Sequence, residues 1–240
     1  MKTGEMSIFD HLEELRWRIF KSLGSIFLFA ILTFNFADTL VELLIAPTKN
    51  ISQQLALQVL TIQGMFVLKW NLAFIGGIIF SIPIITIQLW KFISPGLYQK
   101  EQKILLPIIL SAFACFIIGG VFAYKVILPF SLDFFSSMIT ANIQNNFSIN
   151  YYFSFVLALI LGSGLVFELP VISFLFSSIG LLTPDFLRKY RREAIMIAVI
   201  LSAIITPPDP ISLFILAIPI CLLYEVSIFI SMLANKIFKN

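Results

Sequence analysis

FSFVLALILGSGLVFELPVISFLFSSIGLL, residues 153–182, is an apolar run interrupted by one ionisable side chain, Glu168, and one proline, Pro170. At a helical rise of about 1.5 Å per residue, the run is longer than the roughly 30 Å hydrocarbon core of a bilayer, so it reads as a membrane-spanning helix. An acid near the middle of such a helix costs about 2.5 to 3.5 kcal/mol on insertion scales, and its retention needs a reason. One reason is contact with a partner or substrate; the other is a protonated Glu168 bonding a freed carbonyl or a neighbouring helix. Pro170 has no N–H to offer the carbonyl of Val166, which predicts a kink beside the acid.

Outward from this run the chain keeps the same character. Hydrophobic residues make up 59% of the 240, charged residues 12%, and the mean hydropathy is +0.99, which excludes an ordinary water-soluble domain. Further runs of spanning size lie at about 19–37, 66–89, 104–124 and 211–234. A shorter one, Ala194 to Ile205, covers only about 18 Å as a helix. It crosses if Tyr190 to Glu193 extend it into the interface, giving a span over 191–206; a re-entrant segment is the alternative. The expectation is an all-α, polytopic membrane protein of six transmembrane helices, forming one integral membrane domain over residues 1–240. The first run has no small-residue cleavage site and reads as a retained helix. Cys115 and Cys221 lie inside apolar runs and read as small buried hydrophobes, not as a disulfide or metal ligands.

Basic residues orient the spans, since cytoplasmic flanks carry the excess of Lys and Arg. With six crossings, one side holds Lys2, Arg16, Arg18 and Lys21, then Lys91, Lys100 and Lys103, then Arg188, Lys189, Arg191 and Arg192, and finally Lys236 and Lys239. Only Lys49, Lys69 and Lys125 of the 16 fall on the other side. Both termini are therefore expected in the cytoplasm, and the net charge of +3 is mostly a topology signal, not a sign of nucleic-acid binding.

Ser7 followed by Asp10 has a capping-box pattern and starts a helix that leads into the first run. Its apolar stripe, Ile8, Leu12, Leu15 and Ile19, leaves Asp10, Glu13 and Glu14 at the membrane surface. Glu14 either pairs with Arg18 four residues on or faces a ligand. Residues 90–101, WKFISPGLYQKE, form an anchored Pro-Gly turn that puts Phe92 and Glu101 on the same side as Glu14. Two carboxylates there could hold a pair of guanidinium groups by charge-assisted, bidentate hydrogen bonds, or serve only the turn. On the other side, residues 38–50 read as an amphipathic stretch ending around Pro47, and TPPDP at 206–210, with Pro207, Pro208 and Asp209, as a stiff minimal turn. Glu225 lies well into the last run and should face protein or water. The single His11 has no ligand cluster around it, so neither a metal nor a cofactor is expected.

With these residues in view, the chain resembles the TatC family, the multispanning core and receptor of the twin-arginine protein translocase. HLEELR at 11–16 is similar to the family's N-terminal signature, Phe92 to Glu101 to its first cytoplasmic loop, and FELP at 167–170 to its fourth-helix motif. LRKYR at 187–191 and TPPD at 206–209 follow in the family's order. The resemblance implies a cupped bundle whose last two helices are short. It implies recognition of the paired arginines of signal peptides on folded cargo by Glu14 and Glu101, with Glu13 and Phe92 beside them. Glu13 is a departure that makes the acidic cluster denser; Glu14 keeps the family's spacing of one Leu before Arg16. Glu168 and Pro170 would lie on a concave intramembrane face contacted by the single-span proteins TatA or TatB, together with the fifth helix. Pro47, Pro207, Pro208 and Asp209 would form an outer, periplasmic cap. The resemblance further implies homo-oligomers within a Tat complex and transport driven by the proton-motive force. It places the chain in a bacterial inner membrane, or in a thylakoid membrane for an organelle-encoded homologue. It implies no nucleotide hydrolysis by this subunit, and the absence of a G-x-x-x-x-G-K-[ST] loop agrees with that.

Two other classes compete. A secondary transporter would explain an intramembrane acid beside a proline-broken helix, but such folds carry internal repeats and none is visible. An intramembrane enzyme fails for want of a His-Glu-x-x-His pattern or a serine with a general base.

Overall fold

The computed structural model describes residues 8–50, 56–93, 102–138 and 146–238. Helix α1 (Ile8–Phe34) is followed by the short α2 (Ala37–Ile45) and a 3₁₀ segment (Ala46–Asn50). Then come strand β1 (Ala56–Gln58), the long α3 (Gly64–Ile93) and α4 (Gln102–Phe122). A π-helical turn (Ala123–Ile127) joins α4 to α5 (Leu128–Ser137). Strand β2 (Asn146–Ser148) leads into α6 (Ile149–Phe167) and α7 (Leu169–Ser178). The chain ends with α8 (Pro184–Lys189), α9 (Arg191–Ile205) and α10 (Pro210–Phe238).

Among the described residues, five helical stretches are long and apolar enough to cross a membrane: His11–Phe34, Gly64–Phe92, Leu105–Ser137, Ile149–Ser178 and Pro210–Ile237. This is a multi-pass helical protein. The expected fifth span appears as α9, which does begin at Arg191, but its 15 residues reach only about 22 Å. It is not among the five helical stretches that qualify by length and composition. The helix that carries the third run continues past Tyr124 to Ser137. The π turn carries Lys125 within the rod, its Nζ 5.5 Å from the ring centre of Tyr124. Nor is the chain wholly helical: β1 and β2 pair in parallel, with Leu57 opposite Phe147, tying the segment before α3 to the one before α6.

Packing follows from shape. α1 and α3 run antiparallel, touching through His11 and Phe92, Phe29 and Phe80, and Phe34 and Trp70. Their backbones approach closely at Gly77, where a Cβ would fall 2.6 Å from the carbonyl oxygen of Ile26. Small residues permit such contacts between membrane helices, where apolar burial gives no drive of its own. α4 lies along α6, and α7 along α10. The α7–α10 seam is built from buried serines: Ser177 Oγ donates to Ser231 Oγ at 2.8 Å, and Ser173 Oγ to the carbonyl of Ser227 at 3.2 Å. Farther along α10, Ser212 and Ser131 share a hydroxyl bond of 2.5 Å. Gly180, at φ 79°, closes α7: the N–H of Leu181 reaches back to the carbonyl of Phe176, a bond only a left-handed residue between them allows.

The expected break beside Pro170 is present, and it falls on Glu168. α6 ends at Phe167 and α7 begins at Leu169, with Pro170 in its first turn. Glu168 links the two, its N–H donating to the carbonyl of Leu165 and its own carbonyl accepting from Ile172.

Candidate functional site

The N-terminal face of the bundle is organised around Glu14. A helix places residues three and four apart side by side, so His11, Glu14 and Arg18 share one strip of α1. Arg18 forms an ion pair with Glu14, its Nε 3.1 Å and its Nη2 closer still to Oε1. The other carboxylate oxygen, Oε2, is 3.9 Å from His11 Nδ1. His11 in turn stacks on Phe92 at the end of α3, with ring centres 4.4 Å apart and planes 14° from parallel. Glu13 points elsewhere, into an exposed pair with Arg16 at 3.2 Å. The structure thus brings Glu14 and Phe92 into one constellation through His11 and separates Glu13 from it. Glu101, the second expected acid, lies outside the described residues.

The pairing with Arg18, one of the two alternatives for Glu14, is present. The stack on Phe92 was not foreseen, because it depends on which turn of α3 meets the first turn of α1.

Glu168 and Pro170 form a second feature, inside the bundle. Oε1 of Glu168 is buried and has no hydrogen-bond partner among the described residues. Leaving such an acceptor unmet costs about 1 to 3 kcal/mol. Pro170 lines an apolar groove of about 390 Å³ between α4, α7 and α10, with Ser111, Cys115, Val171 and Leu233.

Glu225, expected to face protein or water, pairs with Arg191 at 2.8 Å. Arg191 carries the start of α9 to the depth of Glu225 on α10. Tyr224 donates to the carbonyl of Leu187 at 2.8 Å, fixing α8 to the same helix.

At the opposite face, Asp209 is almost wholly buried and caps α10, its Oδ1 accepting from the N–H of Ser212 at 2.6 Å. Pro207 and Pro208 stiffen the turn before it. Pro47 lines a small cavity with Tyr124, Lys125 and Pro129. Tyr124 and Tyr152 hold the end of α2 by hydrogen bonds of 2.6 and 2.7 Å to the carbonyls of Leu43 and Leu44. Pro47 and Asp209 each rest on the α4–α5 rod, at Pro129 and, through Ser212, at Ser131. Among the described residues, no three His, Cys, Asp or Glu side chains converge as metal ligands would.

Long apolar helices, with a carboxylate ion-paired at one face and a buried acid among them, define a multi-pass membrane protein. Residues 10–219 match the family model for the Sec-independent protein translocase protein (TatC). The chain is 37% identical over 230 residues to the Sec-independent protein translocase protein TatC of Helicobacter pylori (strain ATCC 700392 / 26695), covering 96% of this chain and 89% of that one. It is 35% identical over 237 residues to TatCy of Bacillus subtilis (strain 168), covering 98% and 92%. A crystal structure of the twin-arginine translocase receptor TatC superposes with a TM-score of 0.80 at 34% identity, covering 94% of this chain and 99% of that one. The chain belongs to the TatC family.

Proposed function

We propose that this chain is the core subunit and signal-peptide receptor of a twin-arginine translocase, which exports folded proteins across a membrane. The observation that carries this is Glu14, an acid turned inward against His11 and Phe92 at the N-terminal face, in a chain whose solved relative is a twin-arginine translocase receptor. Glu14 and Glu101 accept the two guanidinium groups, Phe92 and His11 wall the site, and Glu13 adds negative potential from the rim. The site needs charge and planar geometry in its ligand, which arginine has and lysine lacks. Titrating the chain in lipid nanodiscs with a labelled signal peptide bearing paired arginines should give saturable binding, and paired lysines should weaken it at least about tenfold. Equal affinity for the two peptides would end this assignment.

The chain acts in transport, and its energy comes from the proton-motive force without nucleotide hydrolysis of its own. α9 completes a sixth crossing, so that residues 1–240 form one six-helix domain with both termini in the cytoplasm of a bacterial plasma membrane. Support comes from the antiparallel α9–α10 pair and from the basic run at 188–192, which belongs on the cytoplasmic side. Cysteines introduced at Lys189 and Pro208 test this. In intact cells an impermeant maleimide should label position 208 and leave position 189 unlabelled until the membrane is opened; labelling of both from outside would refute the sixth crossing.

Single-span partners of the TatA and TatB kind dock on a concave intramembrane face that includes Glu168, Pro170 and α9. Ile197, Ile200 and Ile204 on α9 are exposed in the isolated chain and offer an apolar face to such helices. Pro47, Pro207, Pro208 and Asp209 hold the outer cap, which also orders copies of the chain within the complex.

A further inference from the structure

The carboxylate of Glu14 is not free in the structure. Arg18 directs both Nε and Nη2 at one oxygen, Oε1, and leaves Oε2 facing the His11–Phe92 stack. A pair that existed only to neutralise Glu14 would gain most from a fork on both oxygens, as guanidinium and carboxylate geometry allows. The pair is also more enclosed than its neighbour. Side-chain exposure is 17% for Arg18 and 26% for Glu14, against 58% and 63% for Arg16 and Glu13.

We infer that Arg18 is a positioning residue of the signal-peptide site: it fixes Oε1 of Glu14 so that Oε2 is aimed at the incoming guanidinium alongside the stacked rings. The inference rests on the reading of Glu14 as an acceptor and adds what gives that acceptor its direction. A carboxylate has about four lone-pair sites, and those on Oε2 remain available when Arg18 occupies Oε1. Direction matters to a planar guanidinium, whose donors lie in a rigid fork. It matters far less to an ammonium, which approaches as a point charge. Loosening Glu14 therefore harms an arginine ligand more than a lysine ligand. Arg18 sets part of the discrimination between them without touching either. Were Arg18 a stand-in that the ligand displaces, its removal would have the opposite sign and tighten binding.

The experiment uses the full chain in nanodiscs with two labelled signal peptides, one with paired arginines and one with a single arginine replaced by lysine. Arg18→Gln should weaken the paired-arginine peptide about tenfold and the lysine-containing peptide less, so that the affinity ratio narrows. Arg18→Lys, which keeps the charge but not the fork, should recover part of the affinity and none of the ratio. That variant decides the matter alone if Arg18→Gln does not fold. An unchanged ratio in the folded variants, or tighter binding of the paired-arginine peptide, overturns the inference. Glu14→Gln is measured alongside. If it abolishes binding while the Arg18 variants keep the ratio, only the positioning role fails; if it leaves binding intact, the acceptor reading falls and this inference with it.

Discussion

Replacing Glu14 and Glu101 together by Gln is expected to abolish cross-linking of a twin-arginine signal peptide while leaving membrane insertion of the chain intact. Gln keeps the size of the side chain and one carbonyl oxygen, so the loss reads the charge. Hydrogen bonds to charged groups are worth about 1.5 to 3 kcal/mol each, so either single change should cost roughly ten- to a hundredfold in affinity. The change at Glu14 acts twice over. It removes an acceptor, and it leaves Arg18 as an unbalanced cation where another cation must enter. Glu13→Gln is the internal control. Glu13 sits in an exposed pair with Arg16, of a kind worth about 0 to 1 kcal/mol, so its loss should change affinity by no more than a fewfold. Cross-linking that survives the double change would remove the receptor assignment.

Glu168→Ala is expected to eliminate export and the cross-link between the intramembrane surface and a TatA- or TatB-type helix, with normal levels of the chain in the membrane. The buried Oε1 has no donor among the described residues of its own chain. A donor from a partner helix would convert that cost into binding energy, worth about 1 to 2 kcal/mol in model membrane peptides. Glu168→Gln retains a carbonyl acceptor and should keep a substantial part of the cross-link. Glu168→Lys should lose it, since an ammonium has no acceptor to offer the partner's donor. A photoreactive residue at Val171, which lines the neighbouring groove, gives the readout. Wild-type cross-linking in Glu168→Ala would show that the acid serves the fold instead.

Much of the architecture was legible because the bilayer imposes a length on every crossing. Residues 153–182 and 66–89 announce themselves by composition, and in the structure they lie within or close to helices with similar limits. α9 was harder, since a helix of its length satisfies neither a spanning nor a buried template cleanly. The continuation past Lys125 was not legible, because a charge ordinarily ends an apolar run, whereas here it sits in a π turn against Tyr124 and the helix goes on. Pairings across the chain were the least legible. That Arg191 meets Glu225 depends on the turn at 206–210 setting two antiparallel helices in register, and Arg191 by itself reads only as a topology marker. The parallel match of β1 with β2 joins short segments that carry no strand pattern of their own. For the candidate site, the local spacing of His11, Glu14 and Arg18 on one helix was readable, but the place where Phe92 closes over them was not.

The interruption at Glu168 divides one span between two sets of neighbours. α6, above the break, is packed along α4, whereas α7, below it, is joined to α10 by serine hydroxyls. Glu168 therefore sits at the joint between a segment seated on α4 and one seated on α10, and the direction of its carboxylate depends on the placement of both.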